Sequence, residues 1–202
     1  MKTLVIKSSI LGENSKTKVL VDHFTARIKQ ADPAGTITVR DLGAQPVPYF
    51  DGATIGALFT PADARSAAQK EVVAFSDSLV AELFDADRIV FAVPIYNFSL
   101  PAQLKSYIDY VSRAGVTFRY TPEGVPEGLV TGKEVIVLGA RGGKAEGTPH
   151  DTLTPYLTQI LGFLGMTGIT FVAAEGMAMG PESATAGLEQ AKARIDALAI
   201  KA

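Results

Sequence analysis

The chain contains no cysteine, which removes disulfides, thiolate catalysis and cysteine-based metal or iron–sulfur sites from consideration. An excess of one charge is missing too: 19 basic and 21 acidic residues leave a formal net charge of -2, spread without blocks. That balance leaves no electrostatic footprint for nucleic acid or an anionic membrane, so neither is expected as a partner. No stretch approaches the ~20 apolar residues of a membrane span, and Met1-Lys2-Thr3-Leu4-Val5-Ile6-Lys7 has too short an apolar run for a signal peptide. The expectation is a cytoplasmic protein whose partners are small molecules or a second copy of itself.

Several motifs are absent as well. Without G-x-x-x-x-G-K-[ST] the chain is not read as a nucleotide triphosphatase, without G-x-G-x-x-G it is not read as a Rossmann dinucleotide binder, and it has no G-x-S-x-G elbow. Its two histidines lack support for catalysis, since His23 falls within a helix and His150 beside a proline in a loop. His150, Glu146 and Asp151 lack the spacing of metal ligands, so that loop reads as solvated and no metal is expected.

What is present alternates regularly between strand and helix. Thr3 to Lys7 reads as a strand, then Ser15 to about Gln30 as a helix with Val19, Leu20, Phe24 and Ile28 on its apolar stripe. Ile37 to Asp41 is a second strand, and Leu42 to Phe59 an irregular loop or short helix. Thr60-Pro61-Ala62-Asp63 resembles a helix start, opening a long helix to about Ala86 with Val72, Phe75, Ser76, Leu79, Val80 and Leu83 inward. Ile89 to Val93 is an unbroken apolar strand, followed by a helix from Pro101 to Ser112 on which Lys105 and Asp109 form an ion-paired face. Glu134 to Gly139 and Thr170 to Ala173 are the last strands, with helices from Thr154-Pro155 to about Leu164 and from Glu182 to Ile200.

Five β-α steps predict an α/β protein with a five-stranded parallel sheet in the flavodoxin-like order 2-1-3-4-5 and helices on both faces. The 202 residues are read as a single domain over 1–202, with Phe118 to Val130 as a protruding hairpin or loop (at about 116–131) that breaks the rhythm.

In that order a crevice opens at the carboxyl ends of strands one and three. Its lining is the segment Ser8 to Thr17, the loop Pro94 to Leu100 and the loop Ala140 to Gly143. Ser8-Ser9 and Ser15-Lys16-Thr17 surround a helix start, where free amides and hydroxyls suit a phosphate; the alternative is that Ser15 only caps the helix. Tyr96, Asn97 and Phe98 make a platform for a flat, polar-rimmed ligand, or pack as a satellite of the core. Gly142-Gly143 lets a backbone approach a ligand, or is an ordinary turn, while Arg141 pairs with an acid or shapes the loop. With triphosphates and dinucleotides set aside, a flat ring bearing one phosphate remains, and flavin mononucleotide (FMN) has that shape.

Lys7-Ser8-Ser9, Pro94-Ile95-Tyr96-Asn97-Phe98, Leu104-Lys105, Gly115-Val116-Thr117-Phe118-Arg119-Tyr120, Gly128-Leu129-Val130-Thr131-Gly132-Lys133 and Arg141-Gly142-Gly143 stand in one order along nearly the whole chain. Continued through Leu161-Gly162-Phe163-Leu164-Gly165 and Ala174-Glu175-Gly176, the sequence resembles the FMN-dependent NADH-azoreductases, also described as quinone reductases. The resemblance implies a homodimer with one FMN per subunit at the dimer interface, and NADH or NADPH as transient hydride donor to quinone or azo acceptors in a ping-pong reaction. It places phosphate contacts on Ser9, Ser15, Lys16 and Thr17. Ring contacts fall on Ile95, Tyr96, Asn97 and Phe98 and on Ala140, Arg141, Gly142 and Gly143. It also implies that Tyr120 and Phe163 wall the substrate pocket across the interface, with Tyr120 or water as proton source and no protein nucleophile. Family members often carry methionine at Ile95 and serine at Ala140, so backbone contacts are expected there; Lys144-Ala145-Glu146-Gly147 also departs from the family. The main rival is a flavodoxin-type electron carrier, against which the near-neutral charge and the long excursion at Phe118 speak. An FMN-free interaction module is a third reading, set against the intact aromatic and glycine loops.

Overall fold

The computed structural model describes residues 1–200. β1 (Lys2–Lys7), β2 (Thr36–Asp41), β3 (Arg88–Pro94), β6 (Glu134–Ala140) and β7 (Thr170–Ala174) form one sheet in the order β2-β1-β3-β6-β7, with every neighbour pair parallel. With the core strands numbered one to five, this is the expected order. β3 is buried at every position, as its unbroken apolar run requires of a strand covered on both faces.

Alternate residues supply two cores. Leu4, Ile6, Ile89, Phe91, Val93, Val135 and Val137 pack under α3 (Ala67–Asp85), α4 (Ala102–Val111) and α5 (Leu153–Phe163). Val5, Val90, Ala92, Ile136 and Leu138 pack under α1 (Lys16–Ala31) and α6 (Pro181–Asp196). Each fully buried side chain of this size contributes about 1.5–3 kcal/mol, so a one-residue slip of β3 would put the wrong set on each face.

Three boundaries differ from the sequence reading. Thr60 does not open a helix: it ends α2 (Gly52–Phe59), its amide and hydroxyl both donating to the Gly56 carbonyl at 3.0 and 2.7 Å. Pro61 leads only into a short 3-10 turn, Ala62–Ala64. The long helix starts at Ala67, where Ser66 and Gln69 make a reciprocal capping box, which satisfies two end donors where Thr60-Pro61 offers none. The segment after β2 therefore contains the short helix, capped by Asp51. The terminal helix stops at Asp196 rather than Ile200. On the stripes, Val21 replaces Val19 and Val73 replaces Val72 as the buried residue.

β4 (Phe118–Tyr120) and β5 (Pro126–Gly128) pair antiparallel as a separate hairpin. Its base is locked on the end of α5: a Cβ on Gly128 would lie 2.0 Å from the Gly165 nitrogen. The expected pair of Lys105 and Asp109 forms at 2.6 Å.

Candidate functional site

β1 and β3 are neighbours whose chains leave the sheet toward opposite faces, β1 into α1 and β3 into α4. The crevice between their carboxyl ends is lined first by Ser8 and Ser9. The Ser8 amide and hydroxyl both donate to the Ala92 carbonyl, at 3.2 and 2.8 Å, which ties this loop to β3. Ser9 is held from behind by the turn after β2: a Cβ on Gly43 would stand 2.1 Å from the Ser9 carbonyl oxygen. Asp41 shapes that turn by accepting from the Gly43 and Ala44 amides and pairing with Lys7 at 2.6 Å. Burial pushes the Asp41 carboxyl up, but Lys7 and the two amides outweigh it and hold the group below the usual carboxylate range.

Ser15 caps α1 by accepting from the Lys18 amide at 3.4 Å, and its oxygen lies 2.9 Å from the Thr17 hydroxyl. The Lys16 and Thr17 amides precede the first intrahelical acceptor, so they point out of the helix end. Two hydroxyls, two free amides and the positive end of a 16-residue helix are the groups to which an anion would bind at such an end.

The third part is a two-residue turn. Tyr96 and Ser99 exchange backbone hydrogen bonds of 2.9 and 3.1 Å, and between them Asn97 and Phe98 have φ of 49° and 67°. Left-handed φ at both central positions is the type I′ turn, which Asn tolerates and Phe does not favour. The strain is held by contacts at both ends: the Tyr96 hydroxyl lies 3.1 Å from Ser9 Oγ and accepts from the Ile10 amide at 3.3 Å, and Thr152 Oγ1 donates to the Phe98 carbonyl. Phe98 is 80% exposed, so it does not serve the core. Ile95 is part-buried against the core and its amide donates to the Ala140 carbonyl at 2.9 Å.

Ala140 is buried, and after it the chain turns along the β7 exit. The Arg141, Gly142 and Gly143 carbonyls accept from Met177, Ala178 and Gly176 at 3.1, 3.0 and 2.9 Å. These bonds use the loop's carbonyls and leave the Gly142 and Gly143 amides out. A Cβ on Gly143 would meet nothing within 4 Å, so the loop presents an open backbone edge. The Arg141 side chain does not share that edge. It is 6% exposed and stands 3.3 Å from Asp151 and 3.6 Å from Glu175. Asp151, read from sequence as part of a solvated loop, is buried. Burial pushes its carboxyl up, but the Thr154 hydroxyl and amide and the Arg141 charge hold it below the usual range.

Ser9, Ser15, Lys16, Thr17, Ile95 to Phe98 and Ala140 to Gly143 thus lie on loops at one sheet edge, whereas Tyr120 and Phe163 do not. α4 and α5 run back from that edge, and helices of 10 and 11 residues are about 15 Å long. The hairpin and the end of α5 stand at the amino edge, where Phe118 packs on Phe163 with ring centroids 4.5 Å apart and Tyr120 is 61% exposed. Beside the hairpin an apolar groove of about 270 Å³ is lined by Phe50, Ile55, Leu58, Phe59 and Phe118. Thr152, Asp151, Glu175 and Gly43 support the site loops and escaped the sequence reading. Only Glu175, within Ala174-Glu175-Gly176, stood in a segment already marked by resemblance.

The sequence model of the Flavodoxin-like fold family matches residues 1–199. A protein of Bordetella bronchiseptica named FMN-dependent NADH:quinone oxidoreductase is 70% identical over 202 residues, covering 100% of this chain and 97% of that protein. One of the same name from Burkholderia pseudomallei is 50% identical over 195 residues, covering 96% and 98%. Among solved structures, an azoreductase of Bacillus anthracis superposes with a TM-score of 0.86 at 33% identity, covering 98% of this chain and 100% of that one.

Proposed function

Because the chain belongs to the Flavodoxin-like fold family, with quinone oxidoreductases at 70% identity over its length, we propose that it is an FMN-dependent enzyme using NADH to reduce quinone and azo compounds. The observation that carries this reading is the meeting of three unlike loops at the β1–β3 crevice: an anion seat, a strained aromatic turn and an open glycine edge. Their chemistry fits FMN in that order. The hydroxyls of Ser9, Ser15 and Thr17 and the first amides of α1 suit its phosphate. Tyr96, Asn97 and Phe98 suit one side of its ring, and the free Gly142 and Gly143 amides its polar rim.

Bound FMN supplies hydride acceptance from the nicotinamide and delivery of reducing equivalents to the acceptor, in a ping-pong sequence. The chain's part is to hold and orient. Asn97 and the glycine amides would offer donors to the polar rim of the ring and so favour its reduced form, in a site that needs no protein nucleophile. Phe98 leaves an open apolar surface for the nicotinamide and the acceptor in turn.

Tyr120 and Phe163 stand at the opposite edge of their own sheet, so they reach a ring site only on a second copy. The enzyme is therefore read as a cytoplasmic homodimer in which each hairpin walls the partner's site, with Tyr120 or water as proton source. NADH consumption by the FMN-loaded protein, first with a benzoquinone and then with an azo dye, tests the reading. Consumption with both acceptors supports it; NADH consumed with neither acceptor, and a flavin that NADH does not bleach in the absence of acceptor, contradict it.

A further inference from the structure

We propose that Arg141 is a positioning residue whose buried guanidinium sets the spacing between the Asn97–Phe98 turn and the Gly142–Gly143 loop, acting through Asp151 and Thr152 on one side and Glu175 on the other. The inference rests on the reading of these two loops as the ring site. It concerns a side chain that does not itself face the ring.

Arg141 follows directly on β6, and its side chain points to the same face as Val135 and Val137, toward α5. There it meets two carboxylates, Asp151 at 3.3 Å and Glu175 at 3.6 Å. Each acid does a second job. Asp151 accepts from the Thr154 amide at 3.1 Å and the Thr154 hydroxyl at 2.8 Å, which fixes the start of α5. Thr152, its neighbour, donates its hydroxyl to the carbonyl of Phe98, the second left-handed residue of the turn. Glu175 accepts from the Ala145 and Glu146 amides at 2.7 and 2.8 Å, two and three residues beyond Gly143. Glu146 continues outward to Arg194 through bonds of 2.7 and 2.8 Å, and Arg194 reaches the Phe171 carbonyl on the edge strand β7. One cation therefore joins both ring loops to the rigid end of the sheet.

A structural ion pair alone would explain burial and charge. It would not explain why each acid bound by Arg141 is one or two contacts from a ring loop, nor why the strained Phe98 carbonyl is held from this side. A residue in the left-handed region stays there only when its surroundings over-determine it. The Arg141 guanidinium faces Asp151 through Nη1 and Glu175 through Nε at ion-pair distance rather than through hydrogen bonds, and the compact ammonium of a lysine does not spread its charge between two such directions.

The test is FMN binding to the full chain, followed by flavin fluorescence quenching and by the visible spectrum of the bound flavin, in Arg141→Lys, Thr152→Val and the double variant. Thr152 is exposed, so Thr152→Val folds and reports on the Phe98 tether; where Arg141→Lys does not fold, Glu175→Gln, which keeps the shape and removes an acid that Arg141 faces, takes its place. The expected result is FMN binding weakened about fivefold in each single variant, with a shifted flavin spectrum. The double variant is expected to be no weaker than Arg141→Lys, because both act along one chain of contacts. A wild-type chain that binds FMN, with both variants indistinguishable from it in affinity and spectrum, overturns this inference alone. A wild-type chain that takes up no FMN overturns the site reading and this inference together.

Discussion

Ser9 Oγ lies 3.1 Å from the Tyr96 hydroxyl, joining the loop after β1 to the loop after β3 across the crevice. The same hydroxyl accepts from the Ile10 amide at 3.3 Å. Tyr96 thereby acts as a strut between the two loops that the proposed function assigns to the phosphate and the ring.

Tyr96→Phe removes that strut and keeps the ring. Losing one part-buried hydrogen-bonding group costs about 0.5–1.5 kcal/mol, so FMN affinity should fall by about threefold to tenfold. Fluorescence titration measures the fall, and thermal unfolding of the FMN-free chain should drop by a few degrees, since the strut is already made without ligand.

Asn97 carries two properties, a left-handed backbone (φ 49°) and a side-chain amide. Asn97→Ala loses both, and alanine in this region costs about 1–2 kcal/mol. Asn97→Gly loses only the amide. If the amide matters, both variants retain flavin poorly or are reduced slowly by NADH in stopped flow. Unchanged FMN affinity and unchanged NADH oxidation in Asn97→Gly would remove the side chain from the site.

Asp41 titrates below the usual carboxylate range in the folded chain. A lowered folded pKa contributes stability that is present above the unfolded value of about 3.9 and is lost as pH falls through the folded value. Asp41→Asn should therefore flatten the fall of Tm with pH below about pH 4. Since Asp41 shapes the turn that presses Gly43 on Ser9, Gly43→Ala should weaken FMN binding at neutral pH, where this titration is complete.

Tyr120 is expected to act on a second copy. Sedimentation equilibrium should give twice the mass of one chain, and Tyr120→Ala should lower kcat/KM for a benzoquinone about tenfold with FMN affinity retained. A monomer with full quinone activity would remove both Tyr120 and the interface from the site.

The strand order was legible because β3 and β6 are unbroken apolar runs, which only a doubly covered parallel sheet accommodates. The start of α1 was legible because Ser15 is a cap residue directly before the apolar-periodic run. The helix start at Thr60 was misread because a threonine before a proline is a local signal. The capping box at Ser66 and Gln69 won by satisfying donors that a proline turn leaves open. Asp151 looked solvated because its partner, Arg141, is ten positions away and meets it only after β6 and α5 pack. Such long-range pairing leaves no periodic mark in the sequence, and the same is true of Gly43 against Ser9.

The proposed function requires FMN to bind in the crevice between β1 and β3. The most direct measurement is the crystal structure of the chain grown with FMN. The expected result is a phosphate on Ser9, Ser15 and the first amides of α1, with the ring between the Tyr96–Ser99 turn and the Gly142–Gly143 edge. Flavin density in the apolar groove beside Phe59 and Phe118, or no flavin in either place, would contradict it.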